Sequence, residues 1–171
     1  MFAHVGQGGV VKNLGIEDSY CLSIKENHSI GMICGYNRGL IQRCYNSGII
    51  VGETNYCNVG GICGFNENGT VEYCYNTGFI KGSESGGVCG MNTEGIILQC
   101  YNTGIVTGYN CAVVFVSLYD GGVRFCNNTG KIVGVGEYSD VGGICGRGDG
   151  LIRDCYNVNM VTGASAGGIW G

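Results

Sequence analysis

The chain repeats itself, and that constrains its fold more than any other feature. Four segments superpose directly: GMICGYNRGLIQRCYNSGIIVG from Gly31, GGICGFNENGTVEYCYNTGFIKG from Gly60, GGVCGMNTEGIILQCYNTGIVTG from Gly86 and GGICGRGDGLIRDCYNVNMVTG from Gly142. A degraded copy starts at Val114, a worn one at Gly8, and the closing GGIWG begins a further unit. The cysteines of the Cys-Tyr-Asn element act as rulers: Cys44, Cys74, Cys100, Cys126 and Cys155, with Cys21 read as the earlier cognate. Steps between them are 23, 30, 26, 26 and 29 residues, so a unit averages roughly 27. A second cysteine precedes four of these by 10 or 11 residues, at Cys34, Cys63, Cys89 and Cys145. Val11 and Phe115 are read into that slot in the imperfect units, and Trp170 in the partial one, so the slot is used for apolar volume.

Each unit reads as three extended pieces, for example GGICGF, Gly69 to Tyr75, and Gly78 to Lys81. The middle piece alternates Val71, Tyr73, Tyr75 with Thr70, Glu72, Cys74, and either face could be internal on that pattern alone. The slot before the cysteine varies as Arg43, Tyr73, Gln99, Phe125 and Asp154, so the cysteine is placed inside. Asn-Gly and Asn-x-x-Gly pairs bound the pieces and supply positive-φ corners. One such coil cannot close a core or pair its own strand edges, but a stack of coils does both. The expected fold is therefore all-β: a parallel β-helix (β-solenoid) over residues 1–171. It has about six coils of roughly 27 residues, three short strands per coil and a right-handed winding. The absence of Pro fits, since Pro would remove a ladder donor. Asn46, Asn76, Asn102, Asn128 and Asn157 recur at one corner, where stacked amides can bond along the axis.

Composition removes other classes. Gly is 35 of 171 residues but has no three-residue period, which excludes collagen, and it disfavours a helical bundle. Hydrophobic content of 44% with net charge −4 supports a core and excludes disorder. No basic cluster marks a nucleic-acid footprint, and no apolar run approaches a membrane span. Met1-Phe2-Ala3-His4 lacks the basic and apolar stretches of a secretory leader. The partial units at both ends read as cuts through a longer array.

The pattern Gly-Gly-[Ile/Val]-Cys-Gly-x-Asn, then Gly-x-[Ile/Val]-x-x-Cys-Tyr-Asn-x-Gly, resembles the GLUG repeat. That family reads roughly Gly-Gly-Leu-Val-Gly-x-Asn followed by Cys-Tyr-Ala-x-Gly, so this chain differs by Cys for Val and Asn for Ala. GLUG repeats occur in bacterial cell-surface and secreted proteins, including filamentous-haemagglutinin-like adhesins and IgA-cleaving metallopeptidases, where they are accessory. The resemblance implies an extracellular or cell-surface location and a non-catalytic adhesive or spacer module. Host glycans, matrix proteins and further repeats of its own chain are the implied partners. The alternative is an accessory region of a carbohydrate-active or proteolytic secreted enzyme.

The twelve cysteines contain no Cys-x-x-Cys pair, so neither a metal site nor any other cofactor is expected. Ladder neighbours about 4.8 Å apart with parallel Cβ vectors suit buried thiols better than disulfides. Cys57 and Cys111 fall outside the ladders and are the better disulfide candidates. Glu94, Asp120 and Asp149 occupy equivalent corners of successive units but match no calcium repeat, so solvated charges are expected.

Two features point to partners. Arg147-Gly148-Asp149 resembles the integrin-binding tripeptide and sits in a Gly-flanked corner, although so short a motif arises easily by chance in a Gly-rich chain. The connection between the third piece and the next Gly-Gly varies between three and seven residues, and the two long versions carry Tyr56 and Tyr138. Length variation on one face of a repeat array marks a contact surface, or simple tolerance of insertions.

Overall fold

A computed structural model gives an all-β solenoid of about five turns. It describes residues 1–116 and 121–169, the side chains of 114–116 excepted, so Asp120, Trp170 and the Phe115 side chain lie outside the described residues. One full turn runs through Ile49–Gly52, Asn58–Gly60, Cys63–Glu67, Thr70–Glu72 and Tyr75–Asn76. The first three strands belong to one large bent sheet, and the last two each to a sheet of their own. In the next turn the first three fuse into Phe79–Thr93. Pairing is parallel, with each residue opposite its cognate one turn on: Cys34, Cys63, Cys89; Ile41, Val71, Ile97; Tyr45, Tyr75, Tyr101.

The expected middle piece is not one strand. Arg43, Tyr73, Gln99, Phe125 and Asp154, the residues before each ladder cysteine, all have φ between 50° and 55°. This left-handed corner turns the chain between two sheets, so Val71 and Cys74, three residues apart, are both fully buried. A flat strand would have sent them to opposite faces. Each turn therefore has three sheets but five short strands.

Two further details depart from expectation. The third sheet holds six strands, from Gly15–Ile16 to Tyr156–Asn157, and six rungs enclose five turns rather than six. The right-handed winding also does not carry over. The crossover rule comes from long connections packed on a twisted strand, and short corners between short strands impose no such constraint.

The worn units align differently too. Gly15 pairs with Tyr45 and Ile16 with Asn46, so Leu14 occupies the cysteine slot, 30 residues before Cys44. Cys21 pairs with Ile50 in the large sheet, and the short first step of 23 came from using it as a ruler. In the other slot Phe2, not Val11, lies opposite Cys34, while Val11 pairs with Ile41. Val114 rather than Phe115 lies opposite Cys89.

Two apolar columns run along the axis. One gathers Ile33, Ile41, Ile62, Val71, Ile97 and both cysteine ladders; the other gathers Ile50, Val59, Ile80, Val106, Cys111 and Ile132. The Gly-Gly pair sits where the sheet bends between them. A Cβ on Gly60 would lie 1.8 Å from the Cys63 carbonyl oxygen, and one on Gly61 would lie 2.1 Å from the Gly87 carbonyl oxygen and 2.7 Å from the Asn76 amide carbon. The first glycine allows the tight bend, and the second lets the next turn's backbone and the asparagine approach.

Candidate functional site

The polar interior is built first, because it decides which residues are left for partners. Asn46 donates through Nδ2 to Asn76 Oδ1 at 2.8 Å, Asn76 to Asn102 at 2.8 Å, Asn102 to Asn128 at 2.9 Å and Asn128 to Asn157 at 2.8 Å. Each amide also bonds the residue two further on, as in Gly78 N–H to Asn76 Oδ1 and Asn76 Nδ2 to Gly78 O. The four inner members are fully buried and Asn157 is half-buried. A second amide chain was not read from the sequence: Asn37 donates to Asn66 at 2.7 Å and Asn66 to Asn92 at 2.6 Å. The Asn of Gly-Gly-x-Cys-Gly-x-Asn was its visible signal. Among the described residues no buried side-chain polar atom lacks a partner.

The two cysteine ladders do different work. At the left-handed corner the ladder bonds reverse direction: Tyr73 N–H donates forward to Leu98, and Tyr75 N–H donates back to Cys44. The Cys74 N–H is caught at the reversal and donates to Cys100 Sγ at 3.4 Å, as Cys44 N–H does to Cys74 Sγ at 3.3 Å and Cys126 N–H to Cys155 Sγ at 3.4 Å. Each of these thiols in turn donates to the carbonyl two residues back, at 3.2 or 3.3 Å for Cys44, Cys74, Cys100, Cys126 and Cys155. Sulfur is thus a hydrogen-bonding group here as well as apolar volume. In the Cys34, Cys63, Cys89 ladder each thiol donates to the carbonyl two residues on, and the thiols also lie against one another.

The described cysteines stand as thiols, including Cys57, at the end of the 53–57 loop, and Cys111, in a strand, which are both buried in the second core. Burial pushes the Cys111 thiol up to about 12, and burial with neighbouring thiols pushes Cys63 and Cys100 well up. Such thiols are poor nucleophiles. Native protein is expected to react with iodoacetamide first at Cys21 and Cys155, the two half-buried positions. The buried thiols should label at least about 100-fold more slowly than in denaturant, because reaction requires local opening. Fast labelling at Cys74 or Cys100, read by peptide mass mapping, would contradict the ladder.

The outer surface carries the candidate contacts. Tyr56 and Tyr138 are 70% and 78% exposed, each in a five-residue loop of the large sheet's edge, at 53–57 and 135–139. Arg147 has a side chain 74% exposed and lies 3.8 Å from Asp140. Gly148 has φ +153°, and exposed Asp149 lines a shallow depression with Gly121, Arg124, Gly150 and Leu151. The tripeptide's two charged ends therefore belong to different surroundings. Asp140 connects Arg147 to the Tyr138 loop, while Asp149 does not join it. Glu94 stands at a left-handed corner, exposed.

Sequence reading missed a polar column on the same edge: Asn58, Glu84, Asn110 and Asp140. Asn58 pairs with Glu84 and Glu84 with Asn110 in register. Asn110 Nδ2 lies 3.2 Å from each Glu84 carboxylate oxygen, and Asn110 Oδ1 accepts the Asp140 N–H at 2.9 Å. Burial raises the Glu84 pKa, and the nearby Asp140 adds to it, against Asn110 and Arg147. The signal was a polar residue two before each Gly-Gly position. A stack of Tyr45, Tyr75 and Tyr101 was also missed. Its rings lie 5.0 and 4.8 Å apart and parallel within 3°, so they cover one another and offer edges to solvent.

Comparison with protein families finds the GLUG motif at residues 55–80. That span begins in the loop bearing Tyr56 and covers about one turn, and the neighbouring turns repeat it in register. Neither the curated proteins nor the solved structures contain a match to this chain.

Proposed function

We propose that this chain, which carries the GLUG motif, is a non-catalytic repeat module of a bacterial cell-surface or secreted protein, serving as an adhesive or spacer scaffold. GLUG motifs are typical of extracellular proteins, which supports that location. The observation that carries the reading is the division of labour in the coil. Interior amides and thiols satisfy one another along the axis, holding a rod, while the varied residues and loops are left on its outside. Regular coils give stiffness, and one edge of unequal loops gives a contact face.

The test is binding of the purified, folded module to an array of glycans and host matrix proteins, with Asp149→Glu alongside. The adhesive role predicts specific binding to some members. Loss in the variant would place that binding at the Arg147 to Asp149 corner. A folded module that binds nothing acts as a spacer, and its insertion should lengthen the reach of a fused domain in proportion to the number of turns. Turnover of a peptide or polysaccharide by the module alone would overturn the non-catalytic reading.

A further inference from the structure

Loop lengths along the large sheet's edge are not scattered. Loops of five residues occur at 24–28 and 53–57 in adjacent turns and again at 135–139, whereas the two turns between have their strands unbroken through Ser83 and Tyr109. The registers Asn58 to Glu84 to Asn110, and Cys111 to Val141, place the 53–57 and 135–139 loops three turns apart on the same edge. At about 4.8 Å per turn, that separates the two walls by roughly 14 Å. Between them lies a saddle two turns wide.

The floor of this saddle is polar and its walls are aromatic. Glu84 and Asn110 form the floor, joined by the two 3.2 Å amide contacts, and Asp140 and Arg147 close one side. Tyr109, at the floor's edge, has its ring packed under the 135–139 loop. A Cβ on Gly136 would lie 2.8 Å from it, so glycine there admits the ring and seats the wall. Tyr56 and Tyr138 stand on the two walls, both exposed.

We propose that this saddle binds an uncharged oligosaccharide. The inference rests on the adhesive half of the reading above and gives it a place and a ligand class. Tyrosine faces stack on the apolar faces of sugar rings, and a fixed carboxylate and amide between them accept and donate to hydroxyls. The spacing leaves room for a single polymer strand between the walls. Charge selects against acidic glycans: Glu84 and Asp140 line the saddle and exposed Glu53 and Glu137 lie in its wall loops, against exposed Lys81 on the floor strand and Arg147, which Asp140 already holds.

The experiment measures binding of neutral and sulfated oligosaccharide panels, with host matrix proteins alongside, to the wild-type chain and to Tyr138→Ala, Glu84→Gln and Asp149→Glu. Circular dichroism and melting serve as fold controls. Binding of a neutral member is expected to weaken at least about tenfold in Tyr138→Ala and severalfold in Glu84→Gln, and to stay unchanged in Asp149→Glu. Tyr138 is a surface residue, so its variant reports contact rather than folding. Sulfated members binding as well as neutral ones would overturn the proposal. So would neutral binding that survives Tyr138→Ala. Binding only to matrix proteins would overturn the saddle and leave the adhesive module standing; no binding by a folded chain would overturn both and leave the spacer.

Discussion

Asn76→Leu is expected to lower stability by about 3 to 5 kcal/mol, the largest effect of any conservative-volume change in the interior. The wild-type amide makes four bonds: it receives from Asn46 Nδ2, donates to Asn102 Oδ1, and closes the corner with both polar groups of Gly78. Leucine fills the space but takes a buried partner from Asn102 Oδ1 and both Gly78 groups, and leaves Asn46 Nδ2 only its longer 3.4 Å bond to Gly48 O. Each lost partner costs about 1 to 3 kcal/mol before relaxation. Urea unfolding followed by circular dichroism checks this. Asn76→Asp should be worse than Leu near neutral pH, since a carboxylate oxygen would face Asn102 Oδ1. Its buried carboxyl should have a pKa raised above the unfolded value of about 3.9. The folded state then binds the proton more tightly, so the variant should regain stability as pH falls through that raised pKa toward the unfolded value. A loss below about 1 kcal/mol for Asn76→Leu would mean that the amides are not coupled along the axis.

The second large effect separates the two cysteine ladders. Cys100→Val is expected to cost about 2 kcal/mol, because the Cys74 N–H loses its acceptor and the Leu98 carbonyl loses a thiol donor. Cys63→Val should cost under about 1 kcal/mol. No N–H depends on Cys63 sulfur among the described residues, and the same position one turn beyond Cys89 is Val114. Equal costs at the two positions, compared under the same denaturant conditions, would show that both ladders serve volume alone.

The architecture was readable because coils repeat side by side. Apolar slots, Gly-Gly pairs and Asn corners recur at fixed offsets, and stacking is the arrangement that lets each unit satisfy its neighbour's backbone. What escaped was anything set by backbone sign rather than residue type. Arg43, Tyr73, Gln99 and Phe125 take positive φ although none of them favours it, so no turn residue announced the corner. Its trace was indirect: Val71 and Cys74 are both constant apolar positions yet differ in parity, which a flat strand cannot bury on one side. The misaligned first unit had a similar cause, since a cysteine was trusted as ruler where Leu14 held the slot.

For the surface, loop length pointed to Tyr56 and Tyr138, but the Glu84, Asn110, Asp140 column was missed because only acids were compared between coils, and this column alternates acids with asparagines. In a solenoid the meaningful neighbour of Glu84 is one turn away, 26 residues on at Asn110. Reading by column also separates Asp149 from that group, although Arg147, two residues earlier, touches it through Asp140.

The central claim is that a continuous, buried amide chain holds the turns together and leaves the outer edge free for contacts. Hydrogen exchange of the asparagine side-chain amides, followed by NMR, tests it most directly. The Nδ2 protons of Asn76 and Asn102 should persist for hours in deuterated buffer, exchanging only when turns open, while Asn157, half-buried at the chain's end, should exchange quickly. Exchange of Asn76 and Asn102 as fast as that of surface asparagines, in a protein whose backbone amides remain protected, would contradict the account.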